Sequence, residues 1–240
     1  MRTNFILSFM KFNGLSWITK SPASWIANIV TPTCLLFVIY VLSAGKLMDF
    51  AVAGGFVAIV STATLVTTGE SAMFRLEFRL QDLIIATRVG VVEYALGFAF
   101  ASLVFCAPGI AFFSIISIAF GLFSVWKLAA TFAVIFMLAL ATTSIAMLVG
   151  SRIRRTIGMW SISGIVSAFM SLIPPTFYPY TELPKTALYL LAISPVTPAA
   201  VTIQGIYGLA PMNYYMPVLL VLEVLVYMAI LRKFAKWREE

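Results

Sequence analysis

The stretch from Glu70 to Arg88, ESAMFRLEFRLQDLIIATR, packs Glu70, Arg75, Glu77, Arg79, Asp82 and Arg88 into nineteen positions of a chain that is only 10% charged. Read as a helix, Leu76, Leu80, Leu83 and Ile84 recur on one face. Arg75, Arg79 and Asp82 follow at i, i+4 and i+7 on another, with Glu77 between them. Such a stripe suits either a solvated surface or ion pairing with a docked soluble partner. Acid–base or metal catalysis is a poor fit, because the chain contains no His, which removes the commonest general base and a common zinc ligand together. Cys34 and Cys106 both fall in apolar runs, where neither a disulfide framework nor a Cys/His metal site is expected. Two carboxylates remain as candidates for a translocation path: Glu223, near the middle of an apolar run where an ionisable group is expensive, and Glu93, near the end of another.

The elements that must position these groups are membrane spans. Apolar residues make up 62% of the sequence and its mean hydropathy is +1.02, values that exclude an ordinary soluble domain. A helical run of about 20 residues crosses the hydrocarbon core, so charges mark the connections. Residues 1–21 predict an interfacial helix, with Phe5, Phe9 and Phe12 on one face and no removable signal peptide. Spans are predicted at 23–44, 50–69, 89–121, 128–150, 156–173 and 214–231. The first carries Pro32, the second is rich in small residues that permit close packing, and the third reads as one helix kinked or broken near Pro108 and Gly109. Arg152, Arg154 and Arg155 must lie in a connection, since each would cost about 2.5–3.5 kcal/mol at a span centre.

Between the last two spans, residues 174–211 are rich in proline, so no long helix crosses them. Short re-entrant helices at the outer interface are expected there, with Phe177, Tyr178, Tyr180 and Tyr189 at headgroup depth. With the N-terminus inside, thirteen Lys and Arg fall on the cytoplasmic side against Lys46, Lys127 and Lys185 outside. That is a positive-inside pattern with both termini cytoplasmic. The net charge of +7 is then a signature of topology, and nucleic acid is not an expected partner.

On these residues the chain resembles the membrane subunit of type-2 ABC exporters, the ABC-2 permeases. Glu77, Asp82, Ile84, Ile85, Ala86, Thr87, Val89, Glu93, Tyr94 and Gly97 follow that family's signature between the second and third spans. Arg79 stands where members usually carry Gly, and Arg88 where they carry Pro. The outer segment FYPYTELPKTALYLLAISPVTPA resembles the family's outer connection, with Leu183-Pro184 before a short helix and Ser194-Pro195-Val196-Thr197 after it. The resemblance implies an all-α permease of six transmembrane helices in a cell membrane, paired with a second copy or paralogue and in contact with membrane lipids. It also implies cytoplasmic ABC ATPase subunits that carry the ATP and Mg. This chain has no G-x-x-x-x-G-K-[ST] of its own, so no cofactor is expected on it and it is not expected to be an enzyme. Residues 70–88 would be the coupling segment, with Arg75, Glu77, Arg79, Asp82 and Arg88 meeting the ATPase. Glu93, Glu223, Phe177, Tyr178 and Pro195 would serve translocation or gating of an amphiphilic drug, lipid or glycan-type substrate. A secondary transporter or channel working without an ATPase is the alternative.

Overall fold

A computed structural model describes residues 2–87, 89–122 and 124–235, and these residues are helical with irregular connections. The N-terminal arm comprises α1 (Arg2–Met10), a π-helical stretch (Lys11–Leu15) and α2 (Ser16–Lys20). The long helices follow: α3 (Pro22–Leu42), α4 (Met48–Leu76), the short α5 (Leu80–Ala86), α6 (Val91–Ala119) and α7 (Val125–Gly150). Then come α8 (Met159–Leu172), α9 (Lys185–Leu191), α10 (Val196–Tyr207) and α11 (Tyr215–Phe234). Five of them, α3, α4, α6, α7 and α11, are long and apolar enough to cross a membrane, and the count reaches six if α9 and α10, bent by 118°, form one broken span.

Helix α4 is the hub. It packs on α3, α6, α7, α8 and α10, and its small residues Ala51, Ala53, Gly54, Gly55 and Ala58 are buried. Without a hydrophobic drive between helices in lipid, close backbone approach and hydroxyl contacts hold such a bundle. Both are present. Gly55 leaves room for the Phe113 ring of α6, which a Cβ would meet at 1.8 Å. The hydroxyls of Thr64 on α4 and Thr142 on α7 lie 2.7 Å apart, each also bonded to a carbonyl one turn back in its own helix.

Several boundaries differ from those expected. At 29 residues, α4 runs seven positions past the expected end of the second span, because its two late charges find partners inside the chain: Asn13 for Glu70, and the carbonyls of Gly150 and Ile153 for Arg75. Pro108 lies inside α6, which continues to Ala119 as one helix. Within the expected fifth span at 156–173 the helix itself, α8, covers 14 residues, a rise of about 21 Å against the roughly 30 Å hydrocarbon core. Gly158, at φ +99°, stops it at one end, and Pro174 and Pro175 follow at the other. The N-terminal arm also departs from a helix lying only on lipid. Phe9 is buried, with ring centroids 4.9 Å from Phe98, 5.4 Å from Tyr94 and 6.4 Å from Phe74, whereas Phe12 is exposed. Phe5 and Phe9 of that face are spent on α4 and α6.

Candidate functional site

Two ends of the bundle can be told apart by their contacts. At one, Arg75 joins the end of α4 to the end of α7, and the Arg152 Nη2 donates to the Phe234 carbonyl at the end of α11 (3.0 Å). This end carries α5. Helix α4 stops at Leu76, the chain turns through Glu77, Phe78 and Arg79, and α5 begins. Arg79 makes the turn in the left-handed region, at φ +49° and ψ +25°, a conformation glycine adopts freely and other residues at a cost of about 1–3 kcal/mol. The residue that breaks from the resembled pattern thus occupies the backbone geometry that a Gly would suit.

Helix α5 holds to its own chain through Gln81 and Ile84, both buried, the latter clustered with Phe74 and Val91. Its other side is open: Glu77, Phe78, Arg79, Asp82 and Leu83 are exposed, with Phe78 61% and Leu83 65% accessible. Two large apolar side chains flanked by three charges make a surface of mixed character at the tip of the bundle. Arg75 does not join it. Its guanidinium donates to the Gly150 carbonyl at 3.1 Å and to that of Ile153, tying α4 to the SRIRR turn. Arg88 lies outside the described residues.

The remaining candidates are dispersed. Glu93 is the third residue of α6, where a carboxylate is favoured by the unpaired N–H groups of the helix start. Glu223 is buried where α11 packs on α7, and its Oε2 has no hydrogen-bond partner among the described residues. Phe177 is not an exposed ring. It is buried in the main core beside Gly54, because the chain from Pro174 to Phe177 turns inward. Tyr178 is half-buried and donates its hydroxyl to the Ile173 carbonyl at 3.0 Å. Pro195 is buried at the start of α10, itself enclosed by α4, α7 and α11.

Two features escaped the reading of the sequence. Gln204 of α10 is 2% exposed; its Nε2 donates to the carbonyls of Pro175 (2.7 Å) and Tyr178 (2.9 Å), and its Oε1 accepts from the Tyr180 N–H (3.1 Å). Non-helical backbone at membrane depth is tolerated only where protein satisfies its polar groups, and this side chain does so for 174–180. The Thr176 carbonyl of the same segment lies so near α4 that a Cβ on Gly54 would stand 2.0 Å from it.

The second feature is a cavity of about 270 Å³ where the N-terminal arm, α3, α4 and α6 meet, with Glu70 in its wall. Asn13 Nδ2 donates to Glu70 Oε2 at 3.3 Å, and Asn28, Ser24 and Ser102 add further polar groups. The sequence offered a weak sign: Asn13 and Asn28, each alone in an apolar setting, have to be satisfied by something. No protein-family model matches this chain and no curated protein matches it, so its functional reading rests on this geometry and on the pattern of its residues.

Proposed function

We propose that the chain is the membrane subunit of an ATP-driven exporter of the ABC-2 kind, moving an amphiphilic drug, lipid or glycan-type substrate out of the cytoplasm or inner leaflet by alternating access. The observation that carries this reading is α5 with the turn before it, a seven-residue helix between two long apolar helices, anchored by Gln81 and Ile84 and presenting Asp82 and Leu83 outward beside Glu77, Phe78 and Arg79 of the turn. A bundle that ends in a rigidly held patch of apolar and charged side chains suits docking into a groove of a soluble partner. The chain has no phosphate-binding loop, so ATP and Mg belong to that partner, which makes two ATPase subunits for a pair of membrane subunits. The positive-inside rule applied to Arg75, Arg152, Arg154 and Arg155 supports a cytoplasmic assignment for the same end, and with it a cell-membrane subunit with both termini inside. ATP binding in the partner then biases two conformations of the pair, by no more than its differential affinity for them.

Purifying the tagged chain from its native membrane tests this. An ABC ATPase should come with it, and Glu77→Lys together with Leu83→Asp should release the ATPase while leaving the membrane subunit monodisperse. An ATPase-free chain that transports in liposomes without nucleotide would overturn the reading. The buried Glu223 and the half-buried Glu70 favour an ion-coupled secondary transporter as the replacement in that case.

A further inference from the structure

The cavity beside Glu70 has the wrong chemistry to be a packing defect. Defects in apolar cores are lined by apolar groups and stay dry, whereas the wall of this one includes Asn13, Ser24, Asn28, Glu70 and Ser102 beside the Trp17 and Phe105 rings. Among the described residues no Lys or Arg lines it. Glu70 lies eight residues from the middle of α4, about 12 Å along the axis at 1.5 Å per residue. Its carboxylate is only partly exposed, and a charge withdrawn from water without a counter-ion is costly. A carboxylate has about four acceptor sites; among the described residues Asn13 donates to it, at a long 3.3 Å.

We infer that this cavity binds the ammonium headgroup of a monocationic amphiphile. A primary ammonium brings one positive charge and three donors. Glu70 supplies the opposite charge, the Asn28 Oδ1 and the Ser102 hydroxyl supply neutral acceptors, and Trp17 offers an aromatic face of the kind that attracts organic cations. The size agrees. Sites for whole drug-sized ligands occupy about 300–1,000 Å³, so about 270 Å³ takes a headgroup and its first carbons. Val66 and Trp17, both partly exposed at the rim, leave an apolar way out for a tail. A hard divalent metal is a worse match, since it needs several oxygen ligands, usually including more than one carboxylate, and the described residues hold no cluster of three Asp, Glu, Cys or His.

An amine-bearing lipid headgroup and a free amphiphilic amine share this chemistry, and one experiment separates them. The full chain, without any partner, is placed in nanodiscs of phosphatidylglycerol, which has no amine, and saturable binding of radiolabelled octylammonium is measured with octanol as the neutral competitor. Wild type should bind about one octylammonium per chain, Glu70→Gln should weaken this at least tenfold, about 1.4 kcal/mol, and octanol should not compete. Ser102→Leu fills the cavity from α6 without removing the Asn13–Glu70 bond and should weaken binding similarly, which decides the matter if Glu70→Gln does not fold. Unchanged affinity in the folded variants, or octanol competing as well as the amine, overturns the site. Repeating the titration in phosphatidylethanolamine identifies the source. A tenfold loss of octylammonium affinity supports a site for the lipid headgroup; an unchanged affinity supports one for the free amine. Because no ATPase takes part, failure here leaves the permease reading standing, and the reverse also holds.

Discussion

Replacing Gln204 by Met should cost this protein more than a conservative exchange on a helix face normally does. Met keeps the length of the side chain, so little volume changes, but the hydrogen bonds to the Pro175 carbonyl, the Tyr178 carbonyl and the Tyr180 N–H all vanish. Side-chain hydrogen bonds inside membrane proteins average about 0.6 kcal/mol and reach about 1.7. Three of them give a loss of about 2–5 kcal/mol. At about 2–4 °C per kcal/mol for a chain of this length, the midpoint of thermal unfolding in detergent, read by the loss of the monodisperse gel-filtration peak, should fall by at least about 4 °C. Gln204→Glu sharpens the test: it keeps an acceptor for Tyr180 but turns an oxygen toward two carbonyl oxygens at 2.7 and 2.9 Å. It should fall at least as far as Met. A Met variant within about 1 °C of wild type, or a Glu variant milder than Met, would refute the view that this side chain holds the irregular segment in place.

Gly54→Ala should lower the same midpoint strongly, since its Cβ meets the Thr176 carbonyl, a backbone atom with little freedom to retreat; Gly164→Ala, on α8 with nothing within 4 Å of the new Cβ, should leave it unchanged or slightly higher. Arg79→Gly relieves a left-handed backbone and should not destabilise the folded chain; a lower midpoint would show that the Arg79 side chain, not the turn, matters there. Thr64→Val with Thr142→Val should give a double-mutant coupling of about 0.6–1.7 kcal/mol in unfolding titrations, and zero coupling would remove the hydroxyl contact from the account of α4–α7 packing.

The apolar runs were legible because lipid imposes a simple rule: length and absence of charge select helices that cross it. Four of the five long helices start or stop within a few residues of where their flanking charges predict. The exception is α4. A charge ends a span only when nothing inside the protein meets it, and Asn13, fifty-seven positions away, meets Glu70. Distant partners of that kind leave no periodic trace. The burial of Phe177 escaped for a related reason, since an aromatic beside prolines reads as an exposed anchor until Gln204 and Gly54 are known to draw that backbone inward. The exposed face of α5 was better marked, because Glu77, Arg79 and Asp82 differ in kind from Gln81 and Ile84, and the spacing divides the two sets. Arg75 belonged by spacing with the outward set, yet the free carbonyls at the end of α7 claim it.

These contacts make α4 the mechanical axis between the two ends. About 33 Å of continuous helix separates Gly54 from Leu76. At its far end the backbone of Thr176 rests on Gly54 with no room for a methyl group, and the same irregular segment hangs on Gln204 of α10. At its near end three residues lead into α5, held down by Gln81 and Ile84. A displacement of α4 along its axis would press Gly54 on the Thr176 backbone, and the hydrogen bonds of Gln204 tie that backbone to α10. Helices α3 and α11, with much of their surface facing outward, offer no comparable path. A chain of packed backbone and paired polar groups is the kind of connection through which distant sites bias one another, and here it joins the exposed patch at one end to the proline-rich turn at the other.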